Sequence, residues 1–350
     1  MKTTELTGSQ ILAHGALEAT VDYVTGYPGS PATGVVDALL EMAGGGVRVE
    51  WAVNEKSAFD AAFGASLAGQ RALLCLKSVG LNVALDSLMV SNLAAGDGGF
   101  VILVGDDPGG WGSQNEEDSR PLVAAAEVPL LEPTSLEDAR TVMPEAFRLS
   151  ERFRVPVAVR STRALAVDRA PVTGLGQAPV SLGPLPGTGP RRGAFERQGD
   201  RFNVLPVHVV EYHRELLAAL DGARAVFEGS ALNRVEGEGK QGVIAGGFAF
   251  QKLRRVLSQS DDPPLAVLGL GTLHPLPEAQ IARYLRGLEA VLVLEETAPY
   301  LETGVQALAQ RAGLALPVYG RLSGHVPRTG ELFEREIAGA LAVLLPEWPW

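Results

Sequence analysis

The sequence predicts an α/β fold: a doubly wound parallel sheet followed by a second, smaller α/β domain. From residue 8 to residue 156, short runs rich in Val, Ile and Leu alternate with amphipathic stretches. That alternation is typical of buried parallel strands covered by helices. It resumes after a stretch rich in Pro and Gly, and a chain of 350 residues has the length of about two domains.

The first half alternates strands and helices in a regular order. We predict strands at residues 22–25, 47–51, 72–76, 100–104 and 155–160. We predict helices at residues 9–19, 33–42, 54–68, 82–92 and 135–151. Ser135 is the expected N-cap of the last helix, because Asp138 stands three residues later as in a capping box. Gly69 follows the helix at 54–68, where a glycine favours a C-terminal stop.

A segment without apolar periodicity separates the two halves. Residues 171–200 are rich in Pro and Gly, so we predict a linker there. Beyond it we predict strands at residues 243–246, 266–268 and 291–294. Helices are predicted at residues 207–220, 248–257, 277–286 and 300–313. The predicted domains therefore cover residues 1–170 and 201–350.

The composition excludes several functional classes. Thirty Lys plus Arg against 41 Asp plus Glu give a formal net charge of −11, which does not attract phosphate backbones or anionic lipid. Cys75 is the only cysteine, so the chain alone cannot form a disulfide or ligate an iron–sulfur cluster. No segment has the ~18 uninterrupted apolar residues of a membrane span, and residues 1–12 are too polar for a secretion signal. We expect a cytoplasmic protein with no nucleic-acid or membrane partner.

Four of the predicted strands are followed by residues typical of a ligand site. Ligands of open α/β sheets gather at the carboxyl ends of the strands. The segments that follow these strands are residues 26–31, 54–56, 77–82 and 106–116. The first contains two Gly and two Pro, which fix the backbone and let it approach a ligand closely, although such a turn is often only a turn. Neither the dinucleotide pattern G-x-G-x-x-G nor a P-loop is present there, so a nicotinamide or ATP site is not supported.

Two interpretations of Glu55 stay open at this point. The residue opens a predicted helix directly after a strand, where a carboxylate is often only a capping group. The side chains near it in the sequence are apolar, namely Ala52, Val53, Ala58 and Phe59. They could instead hold the carboxylate in a partly desolvated pocket, where it shares a proton with a bound heterocycle.

Other reactive residues are few. His14 lies on a predicted amphipathic helix with no second His or Cys at metal-ligand spacing, and we predict no metal site on this chain. No Gly-x-Ser-x-Gly elbow appears, which disfavours a serine hydrolase. Trp111 lies in the Gly-rich segment after a strand, where we expect an exposed aromatic side chain to contact a ligand or a partner.

Ordered motifs along the chain resemble the 2-oxoacid:ferredoxin oxidoreductase superfamily, and specifically the alpha subunits of indolepyruvate ferredoxin oxidoreductases. In the first half these motifs are TGYPGSPA at 25–32, VNEKS at 53–57, GASLAG at 64–69, VGLNV at 79–83, GDDPG at 105–109 and SQNEEDSR at 113–120. In the second half they are GVIAGG at 242–247, LGTLHPLP at 270–277, LEE at 294–296 and GHVPRTGEL at 324–332. The first set resembles a thiamine diphosphate-binding, pyrimidine-type domain, and the second resembles a transketolase C-terminal-like domain.

The resemblance implies thiamine diphosphate chemistry. In such enzymes a 2-oxoacid loses carbon dioxide, gives electrons singly to iron–sulfur clusters and leaves as an acyl-CoA. By this resemblance Glu55 would be the catalytic carboxylate, bonded to the N1′ atom of the cofactor aminopyrimidine.

The resemblance also implies residues that contact cofactor and substrate. The turn over the cofactor would consist of Gly26, Tyr27, Pro28 and Gly29. A loop against the aminopyrimidine would consist of Val79, Gly80, Leu81 and Asn82. The substrate candidates are Ser30, whose hydroxyl would reach a substrate oxygen, and Gln114, Asn115 and Arg120 in the substrate- or subunit-facing loop.

Two departures from the resembled pattern bear on substrate and partners. Pyruvate-specific relatives carry a carboxylate-binding Arg after the fourth strand, whereas this chain has Asp106 and Asp107 there, so we expect an aryl or branched 2-oxoacid. We expect no working Gly-Asp-Gly…Asn motif for magnesium and diphosphate in this sequence, although the tripeptide Gly-Asp-Gly occurs at residues 96–98. We therefore expect a partner subunit to supply Mg²⁺, the iron–sulfur clusters and the diphosphate half of the thiamine diphosphate site.

The expected assembly is a hetero-oligomer in which this chain also homodimerises. CoA would be the co-substrate and ferredoxin the electron acceptor. Two alternatives remain open from the sequence: a subunit of a non-oxidative thiamine diphosphate-dependent decarboxylase, and a non-catalytic assembly subunit.

Overall fold

The structure is a computed structural model, and it describes residues 3–94, 96–173, 195, 201–259 and 263–350. The first half contains, in order, β1 (Thr3–Thr7), α1 (Gly8–Glu18), β2 (Tyr23–Gly26), α2 (Thr33–Met42), β3 (Arg48–Trp51), α3 (Glu55–Leu67), β4 (Ala72–Lys77), α4 (Ser78–Val83), α5 (Leu85–Ala94), β5 (Phe100–Asp106), α6 (Arg120–Ala125), β6 (Leu130–Leu131), α7 (Leu136–Phe153), β7 (Val157–Thr162), α8 (Arg163–Val167) and β8 (Arg169–Thr173). The second half contains α9 (Pro206–Phe227), β9 (Arg234–Glu236), β10 (Gln241–Gly246), α10 (Ala249–Leu257), β11 (Leu265–Leu270), β12 (Thr272–His274), α11 (Glu278–Leu285), β13 (Ala290–Leu294), α12 (Tyr300–Arg311), β14 (Val318–Tyr319) and α13 (Glu334–Leu341).

The largest sheet has seven strands in the order β12-β6-β7-β5-β4-β2-β3. All neighbouring pairs from β6 to β3 are parallel, so the carboxyl ends of these strands lie at one edge. Apolar residues of α1, α2 and α7 cover one face of the sheet, and those of α3 and α5 cover the other. The predicted doubly wound parallel sheet is confirmed.

The second half forms its own α/β layer around a five-stranded sheet of order β14-β13-β10-β11-β9. Four of these strands are parallel, and β9 runs antiparallel at the edge. The second half also completes the first sheet, because β12 pairs antiparallel with β6, with Thr272 opposite Leu131. The predicted smaller α/β unit is confirmed, and it shares a strand pairing with the first.

Local signals account for several element ends. The Asn54 side chain accepts a hydrogen bond from the Ser57 N–H at 2.7 Å and so begins α3. Gly69, just past the end of that helix, has a positive φ of 81°, a conformation that a glycine adopts without strain. The Ser135 hydroxyl accepts from the Asp138 N–H at 3.1 Å, which confirms the predicted N-cap of α7.

Each predicted strand and helix has an observed counterpart, but two stretches differ from prediction. Residues 79–82, predicted as a loop, belong to the helical turn α4, and the helix predicted at 82–92 is the separate α5. Helix α9 continues to Phe227 instead of ending at residue 220. The loop prediction was wrong because it came from the resemblance, whereas Gly80 lies inside a short helix.

A two-stranded antiparallel sheet, formed by β1 and β8, was not predicted. Thr3 lies opposite Thr173, and Thr7 lies opposite Arg169. The predicted domain limit after residue 170 falls inside β8, so this pairing ties the start of the predicted linker to the first strand. Residues 174–194 and 196–200 of that linker lie outside the described residues, and the domain limits stay a prediction.

No helix in the described ranges is both long enough and apolar enough to cross a membrane.

Candidate functional site

We call the carboxyl ends of β2 to β5, with the segments 26–31, 54–56, 77–82 and 106–116 that follow them, the ligand edge. The strand register brings these segments together, because Gly26 pairs with Trp51 of β3 and with Cys75 of β4. A Cβ atom on Gly26 would lie 2.3 Å from the Cys75 carbonyl oxygen, so only glycine fits where the turn leaves the sheet. The predicted convergence of four strand ends is therefore present in the structure.

Glu55 is the first residue of α3 and is half-buried at the ligand edge. The capping hydrogen bond of this helix comes from Asn54, so Glu55 is an acidic residue of the first turn and not the N-cap acceptor. Among the residues that the structure describes, no side chain or backbone group forms a hydrogen bond or ion pair with the Glu55 carboxylate. A half-buried carboxylate without a protein partner is available to a ligand.

Gly80 of α4 forms the wall against which Glu55 packs. A Cβ atom on Gly80 would lie 2.8 Å from the Glu55 Cγ atom and 3.1 Å from its Oε1 atom. Any side chain at position 80 would therefore displace the carboxylate. These observations fit the pyrimidine half of thiamine diphosphate, since a ring nitrogen that shares a proton would satisfy the free carboxylate beside this wall.

The other residues of the predicted cofactor loop are placed differently from one another. Leu81 is fully buried in the apolar layer beneath the ligand edge, whereas Asn82 is exposed and Val79 is half-buried. Leu81 thus supports α4 from below, Gly80 is buried beside Glu55, and the surface offered to a ligand comes from Val79 and Asn82.

The turn at 26–31 is open to solvent. Tyr27, Pro28 and Ser30 are exposed, and the Gly29 N–H donates to the Thr33 hydroxyl at 2.7 Å. The Ser30 carbonyl oxygen accepts from the Ser113 hydroxyl at 3.4 Å, which joins the turn to the loop after β5.

Lys77, which sequence reasoning did not select, lies between this turn and that loop. A Cβ atom on Gly29 would lie 2.7 Å from the Lys77 Cδ atom, so the lysine stem crosses the turn at its glycine. The Lys77 ammonium donates to the Gln114 Oε1 atom at 2.7 Å. Asn115, the next candidate, is exposed and donates to Glu117 at 3.2 Å. The available signal for Lys77 was its position as the last residue of a central strand.

Arg120 is buried and is not open to a ligand. It is 1% exposed, and its guanidinium binds the Asp118 carboxylate at 2.6 Å and the Glu295 carboxylate at 2.8 Å. A third bond, of 2.9 Å, goes to the Ala298 carbonyl oxygen. The expectation that Arg120 faces the substrate is not supported, because its hydrogen-bonding directions are taken by Asp118, Glu295 and the Ala298 carbonyl oxygen.

Arg120 belongs to a buried set of charges that we call the junction cluster: Asp106, Asp118, Arg120, Glu132, Arg160 and Glu295. Arg160 of β7 binds Asp106 at 2.5 Å and Glu132 at 2.8 Å, and it donates to the Glu296 carbonyl oxygen at 2.6 Å. Burial alone would raise the pKa of Asp118, but the adjacent Arg120 guanidinium outweighs it and holds that pKa well below its usual range. The cluster joins the carboxyl ends of β5 and β7 to the second half.

Trp111 connects the ligand-edge loop to the second half. Its ring is 57% exposed, and its Nε1–H donates to the Glu331 carboxylate at 3.0 Å. The ring also meets Phe333 edge-on at a centroid distance of 6.3 Å. The aromatic contact therefore lies within this chain, and any contact with a ligand or a partner stays a prediction.

Comparison with known proteins assigns this geometry to a class. Residues 14–173 match the family described as "Pyruvate flavodoxin/ferredoxin oxidoreductase, thiamine diP-bdg". The structure is similar to a 2-oxoglutarate:ferredoxin oxidoreductase from Magnetococcus marinus, with a TM-score of 0.70 and 18% identity over 91% of this chain and 62% of that one. It is also similar to a split gene transketolase, with a TM-score of 0.57, 14% identity and 98% coverage of both chains. The first half is thus a domain of the thiamine diphosphate-binding class.

Curated relatives narrow the assignment. The chain is 36% identical over 344 residues to indolepyruvate oxidoreductase subunit IorA of Thermococcus kodakarensis, covering 97% of this chain and 52% of that protein. It is 36% identical over 348 residues to IorA of Archaeoglobus fulgidus, with 97% and 54% coverage. A more distant relative, at 24% identity, is 2-oxoglutarate synthase subunit KorA of that organism. Residues 14–173 belong to the thiamine diphosphate-binding family that they match, and the chain spans about half the length of the IorA proteins to which it is similar.

Proposed function

We propose that this chain supplies the pyrimidine-binding half of a thiamine diphosphate-dependent 2-oxoacid:ferredoxin oxidoreductase. Its substrate would be indolepyruvate or a related aryl or branched 2-oxoacid, because the IorA relatives carry the name of indolepyruvate oxidoreductase. The observation that carries the proposal is the half-buried Glu55 carboxylate, which has no partner in the described chain and packs on Gly80.

Thiamine diphosphate, when bound, supplies the nucleophile and the electron sink for decarboxylation. The part of this chain is to hold and shift a proton. The Glu55 carboxylate would share a proton with the pyrimidine N1′ atom, in a position that Gly80 keeps free of side-chain atoms. The turn at 26–31 would cover the reacting groups, with the exposed Ser30 hydroxyl available to a substrate oxygen.

The full reaction needs groups outside this chain. One 2-oxoacid, one CoA and two oxidised ferredoxins would give one acyl-CoA, one carbon dioxide, two reduced ferredoxins and a proton. We assign the diphosphate-binding region, Mg²⁺ and the iron–sulfur clusters to a partner subunit, since Cys75 is fully buried and cannot ligate a cluster alone. The cytoplasmic location, the ferredoxin acceptor and homodimerisation stay predictions.

The test is to purify the native complex through a tag on this chain. We expect a stoichiometric partner with the diphosphate motif, iron–sulfur absorbance, and reduction of methyl viologen that depends on both an aryl 2-oxoacid and CoA. A colourless complex that releases carbon dioxide without reducing the dye would overturn the proposal in favour of a non-oxidative decarboxylase. A chain that purifies alone and colourless from its own host would favour a non-catalytic assembly role.

A further inference from the structure

One cation at the ligand edge has no carboxylate partner. The four segments of the edge contain two lysines, and Lys56 is committed to Asp86 at 2.9 Å. The Lys77 ammonium has one recorded partner in the described chain, the neutral amide oxygen of Gln114 at 2.7 Å. The Gln114 amide offers this ammonium a hydrogen bond but no opposite charge, whereas a carboxylate offers both. Lys77 is therefore the available anion receptor of the two.

The position of Lys77 is fixed by two neighbours. It ends the central strand β4, where its backbone pairs with Gly105 of β5, and its stem crosses Gly29. The ammonium therefore lies between the turn at 26–31, which carries the exposed Ser30 hydroxyl, and the loop at 106–116. An anion that meets Lys77 would also be close to the residues expected to hold a substrate oxygen.

The two aspartates at the end of β5 and the glutamate at position 116 have other partners, and Glu116 accepts from the Gly109 and Gly330 N–H groups at 2.9 and 2.6 Å. Asp106 is bound to Arg160 at 2.5 Å in the junction cluster. Asp107 accepts the Gly112 N–H at 2.6 Å and is 2% exposed. Arg163, the cation that follows β7, lies over the Trp111 ring at 5.2 Å and is engaged there.

We propose that Lys77 binds the carboxylate of the 2-oxoacid substrate and that this carboxylate replaces the Gln114 amide oxygen on the ammonium. The proposal rests on the proposed function and deepens it, since every 2-oxoacid carries a carboxylate next to the reacting carbonyl. The cation at this site thus comes from β4, on a stem that Gly29 accommodates. Between turnovers, the Gln114 amide oxygen accepts a hydrogen bond from the Lys77 ammonium and keeps it in position.

The test uses the purified complex and two probes that lack a 2-oxo group and do not react. Indole-3-acetate carries the carboxylate, and indole-3-acetamide is its neutral counterpart. We expect Lys77→Met to weaken binding of indole-3-acetate by about 10- to 100-fold, the range for losing a charge-assisted hydrogen bond, and to leave indole-3-acetamide within about twofold. The variant should also raise KM for the aryl 2-oxoacid more than it lowers kcat.

The matched control is Lys56→Met, which removes an equal charge from the same edge and should leave both affinities within about twofold. Lys77→Arg should restore most of the carboxylate binding, and Gly29→Ala should weaken it by displacing the lysine stem. If Lys77→Met fails to assemble, the comparison of Lys77→Gln with Lys77→Arg decides in the same way.

The two proposals fail in different ways. A wild-type complex that neither reduces methyl viologen with any 2-oxoacid nor binds indole-3-acetate would overturn the proposed function, and the Lys77 proposal with it. A wild-type complex that does both, with a Lys77→Met variant that binds indole-3-acetate equally well, would overturn the Lys77 proposal alone. Equal losses in Lys56→Met and Lys77→Met would also overturn it, because general charge would then explain the effect.

Discussion

The junction cluster and the ligand edge both contain charged side chains, but the cluster pairs them with one another, whereas the edge leaves two of them without an opposite charge in the described part of the chain. In the junction cluster Arg160, 1% exposed, is bound by two carboxylates and a carbonyl oxygen. At the ligand edge, Glu55 follows β3 and Lys77 ends β4, and neither has an opposite charge as a partner among the described residues. The difference shows that buried, paired charges hold the two halves of the chain together, whereas partly exposed charges stay free to bind a ligand.

The physical reason is the cost of an unpaired charge. A charge that leaves water without a partner loses several kcal/mol of hydration, so a fully buried ion must be paired. A half-buried ion keeps part of its hydration, so it can persist until a ligand replaces the water. The first group to test by substitution is therefore the free Glu55 carboxylate of the ligand edge.

Replacing Glu55 by Gln should have the largest effect. The amide keeps the shape of the side chain but cannot hold the shared proton, so we expect 2-oxoacid-dependent dye reduction to fall by about 10²- to 10⁴-fold. Stability should barely change, because no described group bonds this carboxylate. Initial rates and chemical denaturation of the same preparation provide both measurements.

The control for Glu55→Gln is Glu41→Gln, which makes the same change at an exposed position on α2. It should leave the rate within about twofold. A Glu55→Gln complex that turns over at the wild-type rate would return the residue to a structural role.

Replacing Arg160 by Met should destabilise the junction cluster. The change leaves Asp106 and Glu132 buried without their cation, so we expect the free energy of unfolding to fall by about 3–5 kcal/mol. Denaturant titration of the purified chain measures this value. Arg148→Met removes a half-exposed pair with Glu145 and should cost less than about 1 kcal/mol. Equal losses in the two variants would show that burial does not distinguish the junction cluster.

Replacing Gly80 by Ala tests whether the free carboxylate must also be positioned. The new Cβ atom would lie 2.8 Å from the Glu55 Cγ atom, so the side chain must move. A displacement of about 1 Å at a reacting group can cost roughly 10²-fold in rate, which is the loss we expect. Because Ala favours a helix over Gly by about 1 kcal/mol, α4 should not be weakened. A variant with normal rate and normal stability would remove Gly80 from the site.

The fold was predictable wherever the residues of a strand or helix carry its pattern themselves. The strands β2, β4 and β5 are apolar runs, and their ends were found within about two residues. The strands β1 and β8 were missed because each pairs with a partner far away in the chain, and β8 overlaps the predicted linker. The same reason applies to β12, whose partner β6 has only two residues.

The candidate site was predictable only in its local parts. Glu55 and the turn at 26–31 each lie within one short segment that follows a strand, so position after a strand was enough to select them. Arg120 was misplaced because its burial depends on Glu295, which lies in the second half. Lys77 was missed because its relation to Gly29 and Gln114 arises from the strand register, which no single segment encodes.

The smallest expected effect is a pH dependence of the free energy of unfolding that comes from His274, a neutral side chain near the boundary between the halves. His274 lies in β12, opposite Leu130 of β6, and its Nδ1 atom is 3.3 Å from the Tyr300 hydroxyl. Burial, together with the charge of Arg224, lowers the pKa of His274 to about 4. Unlike the charges of the junction cluster, this side chain is held neutral, because its Nε2 atom is buried without a partner in the described chain.

The sign of the pH effect follows from that lowered pKa. In the unfolded chain a histidine has a pKa of about 6.5, so the unfolded state takes up a proton first as the pH falls. The stabilising contribution of neutral His274 is therefore complete above about pH 6.5 and is lost between there and pH 4. Between pH 7.5 and pH 5 the free energy of unfolding should fall by about 2 kcal/mol through this group. Denaturation at both pH values should show that difference reduced by about this amount in His274→Gln and unchanged in His325→Gln, whose imidazole is exposed. If His274→Gln kept the wild-type difference, the pH dependence would belong to another group, and His274 would not be the buried neutral side chain that sets this region apart from the paired charges of the junction cluster.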